Sequence, residues 1–500
     1  MLPLDFSDSL YLIKPEIAIS VTLVLIVLID LIFKKSKWIL PFIGLSGIFV
    51  AGYFVIEQFE FYSVAFSSSN NLGLMAVDPF GAFFKLIFLI TTAYIILFSF
   101  SSNEIKTSKD RHGEYYTLMF GMLLGMSLLS SATDLILIYL SIELLSLSSY
   151  VLAGFVKDSI RNSEASLKYV IYGSTSSGIM IFGISILYGI TGSTNLYEIN
   201  SLLASVQVLD ITLILSALMI VAGFGFKISI VPFHFWTPDV YEGAPIVITA
   251  YLSVASKAAG FAVLIRFINN TFISSTSDTG YWNLLNLIDW QSLLVILSII
   301  TMTLGNFAAL WQDNLKRMLA YSSIAHAGYI LLGIAVLSNQ GLIAVLIYFA
   351  IYMFMNLGAF YVVMLIANKI GSENIDDYKG LGGSIPFLGV ALTVFLISLT
   401  GIPPTGGFVA KLYLFIALID ANMITVAFIA LLNTVVSLYY YVRVLKNLYL
   451  VHTDKQKLTI PVSALHYSIV LLLLIPTLLL GVYFTPLINL AKSSIKILGL

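Results

Sequence analysis

The chain has 500 residues, of which 59% are hydrophobic and 10% charged, with a formal net charge of −1 and a mean hydropathy of +0.98. That balance excludes a soluble multi-domain protein and leaves no basic face for nucleic acid. The absence of cysteine excludes iron–sulfur clusters and thiolate-bound zinc in this chain.

A membrane-spanning helix needs roughly 20 mainly apolar residues, and about fourteen segments of that kind follow one another with no soluble domain between them. They lie near 13–33, 38–56, 79–100, 115–131, 134–155, 163–190, 209–231, 246–267, 290–310, 318–338, 341–367, 386–417, 424–445 and 464–490. The first is expected to remain as a helix, because Lys14, Pro15 and Glu16 stand ahead of its apolar run and no small-residue cleavage site follows. Residues 1–500 thus read as one all-α, polytopic membrane domain, with no strand to support a nucleotide-binding loop. The seventh segment holds GFGFKISIVPFHFWTPDVYEGAP, where Pro232, Pro238 and Pro245 break the helix. The twelfth holds SLTGIPPTGGFVAK, broken at Gly401, Pro403, Pro404, Gly406 and Gly407. The breaks are five spans apart, and an odd offset reverses orientation in the membrane. Helices 4–8 (114–268) and 9–13 (288–447) are therefore expected to form two inverted five-helix repeats, preceded by helices 1–3 (1–113) and followed by helix 14 (464–500). Paired interrupted helices point to a transport site at the repeat interface.

Lys and Arg in short loops stay on the cytoplasmic side. The odd-numbered loops hold Lys34, Lys35 and Lys37; Lys106, Lys109 and Arg111; Lys157 and Arg161; Lys316 and Arg317; Lys369 and Lys379; and Lys446, Lys455 and Lys457. The even loops show Glu57, Glu60, Glu198 and Asp278 instead. Both termini outside the cytoplasm, in the inner (plasma) or equivalent energy-transducing membrane, explain this pattern. Arg266, at the outer end of the eighth helix, departs from it, as do Lys492 and Lys496.

Charges within spans carry the most information, since each costs roughly 2.5–3.5 kcal/mol near the bilayer centre. Glu143 lies about eight residues inside its segment, on the order of 12 Å deep, and is too far in to snorkel. Lys257 sits mid-span among Ser253, Ser256, Ala258, Ala259 and Gly260, small residues that permit close helix approach. Lys227 precedes the Pro232 break and Lys411 follows the Pro403–Pro404 break, where backbone groups are left unpaired. One acid and three bases of this kind suit proton transfer, because burial disfavours the charged form and a nearby opposite charge restores it. A static ion pair that only fixes packing is the bland alternative for any one pair. Four mid-membrane charges, two of them at helix breaks, favour the functional reading. His326, with Tyr321, Ser322 and Ser323 on the same span, is a candidate relay between the halves, and His234 beside Pro232 is another without an evident partner. Lys85 and Asp134 are expected to snorkel from or cap span ends, and Lys168 and Lys316 to anchor cytoplasmic ends. His112, His452 and His466 do not combine with the other histidines into a metal site.

The runs GFGFKISIVPFHFWTPDVYEGAPIVITAYLSVASKAAGF, KRMLAYSSIAHAGY and LTGIPPTGGFVAK together resemble the antiporter-like subunits of respiratory complex I, and among them the N-type subunits, over roughly residues 75–450. In that family a glutamate of the fifth helix and lysines of the seventh, eighth and twelfth form a proton pathway. The resemblance implies that role for Glu143, Lys227, Lys257 and Lys411. A lysine in the twelfth helix fits the N-type rather than the M-type subunit, and no long lateral C-terminal helix of the L-type is expected. The implied function is proton translocation coupled to a quinone oxidoreductase fed by NADH or another donor. Flavin, iron–sulfur clusters and quinone would then reside in partner membrane and peripheral subunits. A subunit of an Mrp-type cation/proton antiporter is the second reading, and a passive membrane scaffold is a third.

Topology can be tested directly in a chain free of cysteine. Single cysteines at Ser36, Ser108 and Asn374 are expected to react with an impermeant thiol reagent only from the cytoplasm, and those at Ser68 and Ser277 only from outside. Mixed labelling would overturn the arrangement of spans.

Overall fold

The computed structural model describes residues 6–33, 38–67, 72–107, 111–157, 159–205, 210–285, 287–451 and 463–498. Lys34, Lys35, Ser36, Lys37, Ser68, Ser108, Lys109, His452, Lys455 and Lys457 lie outside the described residues.

Backbone groups have no water to bond in a bilayer, so each apolar run must satisfy its own by coiling. Among the described residues, twelve helices are long and apolar enough to cross a membrane by length and composition. Two predicted segments are not among them. The fourth is present as the helix His112–Ser131, and the twelfth is divided into Pro386–Thr400 and Gly406–Asp420. The seventh is divided as well, into Asp210–Ile228 and Trp236–Gly243. Both breaks read from proline and glycine are therefore present.

The expectation of no strand is wrong in two loops. Ser63–Ala65 pairs antiparallel with Met75–Val77, Ser63 facing Val77, and Ile273–Thr276 pairs antiparallel with Trp282–Leu284, Thr276 facing Trp282. Runs this short show no usable alternation in sequence.

Among the described residues, three helices are enclosed at the centre of the bundle. All of Ile246–Phe272 is buried, as is most of Leu315–Ala335 and Asn339–Ile370, whereas Lys14–Ile32 and Ala464–Val482 lie at the rim. The predicted cytoplasmic loops gather at one end. There Asp239 accepts from Lys168 at 2.7 Å and Arg317 at 2.6 Å, and Leu315 N donates to Glu373 O at 2.8 Å. Lys168 thus anchors that end as expected. Lys316 does so from a buried position, donating to Ala244 O at 2.9 Å and pairing with Glu373 at 3.0 Å.

At the opposite end, Arg266 stands in the eighth helix as read from the sequence and does not reach solvent. It is fully buried, with Nη1 and Nη2 bonded to the Asp78 carboxylate at 2.8 and 2.9 Å and Nε donating to Ser130 O at 2.9 Å. Asp78 also caps the helix Pro79–Ser99 through Gly81 N at 2.8 Å and accepts from Leu498 N at 3.0 Å. Lys85 does not snorkel either: it is buried, 2.7 Å from Glu16 and 2.9 Å from Gln58 Oε1, because the two preceding helices close over it. Asp134 is a cap as expected, accepting from Ile136 N at 2.9 Å. Asp78, Lys85, Thr92 and Ser99 recur every seven residues, or about two turns, and so share one face of their helix. Thr92 meets Tyr251 Oη at 2.8 Å and Ser99 meets Tyr115 Oη at 2.8 Å, so this face ties several neighbours together.

Breaking a buried ion pair by removing one partner strands a charge. Arg266→Met is expected to destabilise the protein by about 3–5 kcal/mol. The double variant Arg266→Met/Asp78→Leu should recover part of that loss. Thermal unfolding in detergent checks this, and an unchanged melting temperature in the single variant would exclude a load-carrying pair.

Candidate functional site

The site is built from the two helix breaks and the helix between them. In the first half, Asp134 starts the helix Leu135–Ala153, which places Glu143 at mid-span. Glu143 is not enclosed by this chain alone, contrary to expectation. It is half-buried beside the exposed Leu140 and Leu147, and the Ser177 hydroxyl donates to its carboxylate. Lys227 is the penultimate residue of Asp210–Ile228 and is buried, with no hydrogen-bond partner at Nζ among the described residues. Its ammonium lies instead 5.6, 5.5 and 5.7 Å from the ring centres of Tyr150, Tyr169 and Phe226. At the break the carbonyl of Phe226 accepts from Ser229 N at 3.2 Å and from the Trp236 indole at 2.9 Å, while Thr237 donates to Ser229 Oγ at 2.8 Å. His234 is buried in the break against Phe235, at 4.4 Å between rings, and its Nδ1 has no partner among the described residues. No hydrogen bond or ion pair among the described residues joins it to the other site residues.

Lys257 follows directly on a π-helical stretch, Leu252–Ser256, a distortion often found at functional positions. It donates to Ser323 O at 2.9 Å and Ser323 Oγ at 2.8 Å. Gly260, one turn on, lies against Lys227 Cβ, where a side chain would come within 3.2 Å, so the absence of one lets the two lysine-bearing helices approach.

Ser323 stands one turn from His326 on Leu315–Ala335. His326 Nδ1 meets Tyr348 Oη at 2.7 Å and Nε2 meets Tyr441 Oη at 3.5 Å, and Tyr441 also bonds the Ser322 hydroxyl. Another turn along, Tyr329 lies 4.7 Å beneath the Lys411 ammonium and accepts from Thr434 Oγ1 at 3.2 Å. Lys411 donates to Thr400 O at 2.8 Å, the carbonyl that ends Pro386–Thr400, and to Thr434 Oγ1 at 3.4 Å. Gly401 turns the chain there with φ +90°, and Gly407 lies so close to Ser398 O that a Cβ would come within 1.7 Å.

One face of Leu315–Ala335 thus carries Ser322, Ser323, His326 and Tyr329 from Lys257 to Lys411. Ser322, Ser323 and His326 were legible in sequence as neighbours on one helix, whereas Tyr329 was not singled out. Tyr348, Tyr441 and Thr434 were missed, since they arrive from other helices without a local signal. Tyr321 faces away from His326, toward Arg317 at 6.0 Å. Amines, an imidazole and hydroxyls in this succession can exchange protons. Among the described residues no group of three or more metal-ligating side chains could hold a metal ion.

A family model described as "NADH:quinone oxidoreductase/Mrp antiporter, TM" matches residues 132–437, which include all six predicted site residues. A protein named NADH-quinone oxidoreductase subunit N 2, from Chloroherpeton thalassium, is 49% identical over 490 residues, covering 97% of this chain and 94% of its own. A chain of respiratory complex I from Thermus thermophilus is similar in structure, with a TM-score of 0.77 and 26% identity, covering 96% of this chain and 99% of that one. A chain of the Mrp complex from Dietzia shares the fold, with a TM-score of 0.82 at 20% identity, covering 98% of this chain and 97% of that one. On the length and identity of these matches, the chain belongs to the family of NADH-quinone oxidoreductase subunit N proteins.

Proposed function

We propose that this chain is a proton-translocating membrane subunit of a complex I type quinone oxidoreductase, with Glu143, Lys227, Lys257, His326 and Lys411 as the groups that carry the proton. The observation that supports this best is the buried polar stripe from Lys257 through Ser323, His326 and Tyr329 to Lys411, which no packing requirement explains. The chain then acts as part of a translocase without redox chemistry of its own. Flavin, iron–sulfur clusters and quinone belong to the membrane and peripheral partner subunits, where electron transfer occurs.

In this reading the helices before and after each break form two inverted repeats, and the loop end that holds Asp239 and Arg317 faces the cytoplasm of a cell whose plasma membrane carries the complex. Both termini then lie outside. Protons taken up near Glu143 and Lys227 pass to Lys257, whose neutral amine re-protonates while Ser323 holds it in place. His326, between hydroxyls of Tyr348 and Tyr441, bridges to the Lys411 half. His234 has no place in this route. The Mrp-type reading rests on likeness of fold at 20% identity, whereas the subunit N relative is 49% identical over nearly the whole chain.

Two sets of variants test the assignment in reconstituted vesicles, with protons moved per quinone reduced as the readout and subunit content as the assembly check. Glu143→Ala and Lys257→Ala are each expected to slow pumping by about tenfold or more while the complex still assembles. Wild-type pumping in either would reduce that charge to a packing role. Lys411→Arg keeps a cation at Thr400 O but cannot give up its proton at physiological pH. It is expected to preserve assembly and slow pumping, with Lys411→Ala slowing it at least as much. An arginine variant that pumps normally would make Lys411 a fixed charge.

A further inference from the structure

Two of the three central lysines donate hydrogen bonds to oxygen, Lys257 to Ser323 and Lys411 to Thr400 and Thr434. Lys227 differs. Its Nζ has neither a hydrogen bond nor an ion pair among the described residues, and three rings surround it at 5.5–5.7 Å. An ammonium within about 6 Å of a ring centre is attracted by the ring's negative face, most strongly where water is excluded.

These rings are held firmly. Tyr169 stacks on Trp236 at 4.4 Å and 13°, and its hydroxyl accepts from Ser149 Oγ at 3.3 Å. Tyr150 stands edge-on to Tyr169 at 4.7 Å, its hydroxyl resting on Gly173, where a Cβ would come within 1.8 Å. The Phe226 ring packs against Trp236 at 5.2 Å and Tyr169 at 5.7 Å. Glu143 lies two turns before Tyr150 on the same helix, Leu135–Ala153, and among the described residues it makes no ion pair with Lys227. One of its two carboxylate oxygens accepts from the Ser177 hydroxyl. Each member of the Glu143–Lys227 pair is therefore engaged by something other than its opposite charge.

We infer that Tyr150, Tyr169 and Phe226 form a seat for the Lys227 ammonium and that Ser177 is a catch for the Glu143 carboxylate, so that these side chains hold the pair apart. They are positioning residues. The rings and the serine oppose closure, and closure lets the carboxylate stabilise the lysine's charge. The inference rests on the reading that Glu143 and Lys227 carry protons. It adds which residues set how readily the pair opens.

The assembled complex in vesicles provides the test, with Lys227→Ala measured alongside. Tyr150→Leu and Tyr169→Leu, which remove a ring, are expected to lower protons moved per quinone reduced by about tenfold each. Tyr150→Phe and Tyr169→Phe keep the ring and should restore most of the pumping. Ser177→Ala should slow pumping as well, and combining it with Tyr150→Leu should add little, because either change alone already lets the pair close. A structure of the Ser177→Ala complex should show Lys227 Nζ paired with Glu143. If Tyr169→Leu fails to assemble, Tyr150→Leu and Ser177→Ala decide. Leucine variants that pump normally while Lys227→Ala does not would overturn the inference, as would leucine and phenylalanine variants equally impaired. Normal pumping by Lys227→Ala would instead sink the proton-carrying reading beneath it.

Discussion

An ammonium group withdrawn from water has to meet an oxygen or a ring face, and the centre of this bundle is arranged around three such demands. Lys257 donates to both oxygens of Ser323, which holds the fully buried helix that ends in Phe272 against Leu315–Ala335. Once that register is set, Ser322, His326 and Tyr329 fall on the same side, and Tyr441, Tyr348 and Thr434 close on them from other helices. Lys411 meets its demand at the carbonyl of Thr400, which the turn at Gly401 leaves without a helical partner. The lysine and the break satisfy one another.

The first break is solved differently. There the carbonyl of Phe226 is taken by Ser229 N and by an indole, and Lys227 lies among aromatic rings. Similar interruptions in sequence therefore give two electrostatic environments, one bonded and one not. The distinction extends to the other buried charges. Arg266 with Asp78, and Lys85 with Glu16, are closed ion pairs near the helix ends, where each joins separate helices. Among the described residues the central lysines are not paired with carboxylates in this way, and a group without a fixed counter-charge is better able to lose and regain a proton. Pairing, rather than depth, distinguishes the charges of Arg266 and Lys85 from those of the three central lysines.

The same fold appears in a chain of the Mrp complex and in a chain of respiratory complex I. Architecture alone therefore does not settle what is moved or what drives it. Membership in the subunit N family comes from identity over nearly the full length, and the chemistry comes from the side chains at the two breaks and between them.

The sequence by itself determined the membrane class, the run of apolar helices, both interruptions and the four central charges. Each of those signals is local: a stretch of apolar residues, a Pro or Gly within it, or a charge where lipid forbids one. The tertiary structure alone decided the partners. Lys257 and Ser323 are 66 residues apart, Ser322 and Tyr441 are 119 apart, and Arg266 and Asp78 are 188 apart, so no local pattern could have joined them. For the same reason Lys85 read as a snorkelling residue until Glu16 was found against it, and Glu143 read as enclosed although one side of its helix is open. A helix shows in its own sequence which face is polar, but what that face meets depends on chain segments brought beside it by packing.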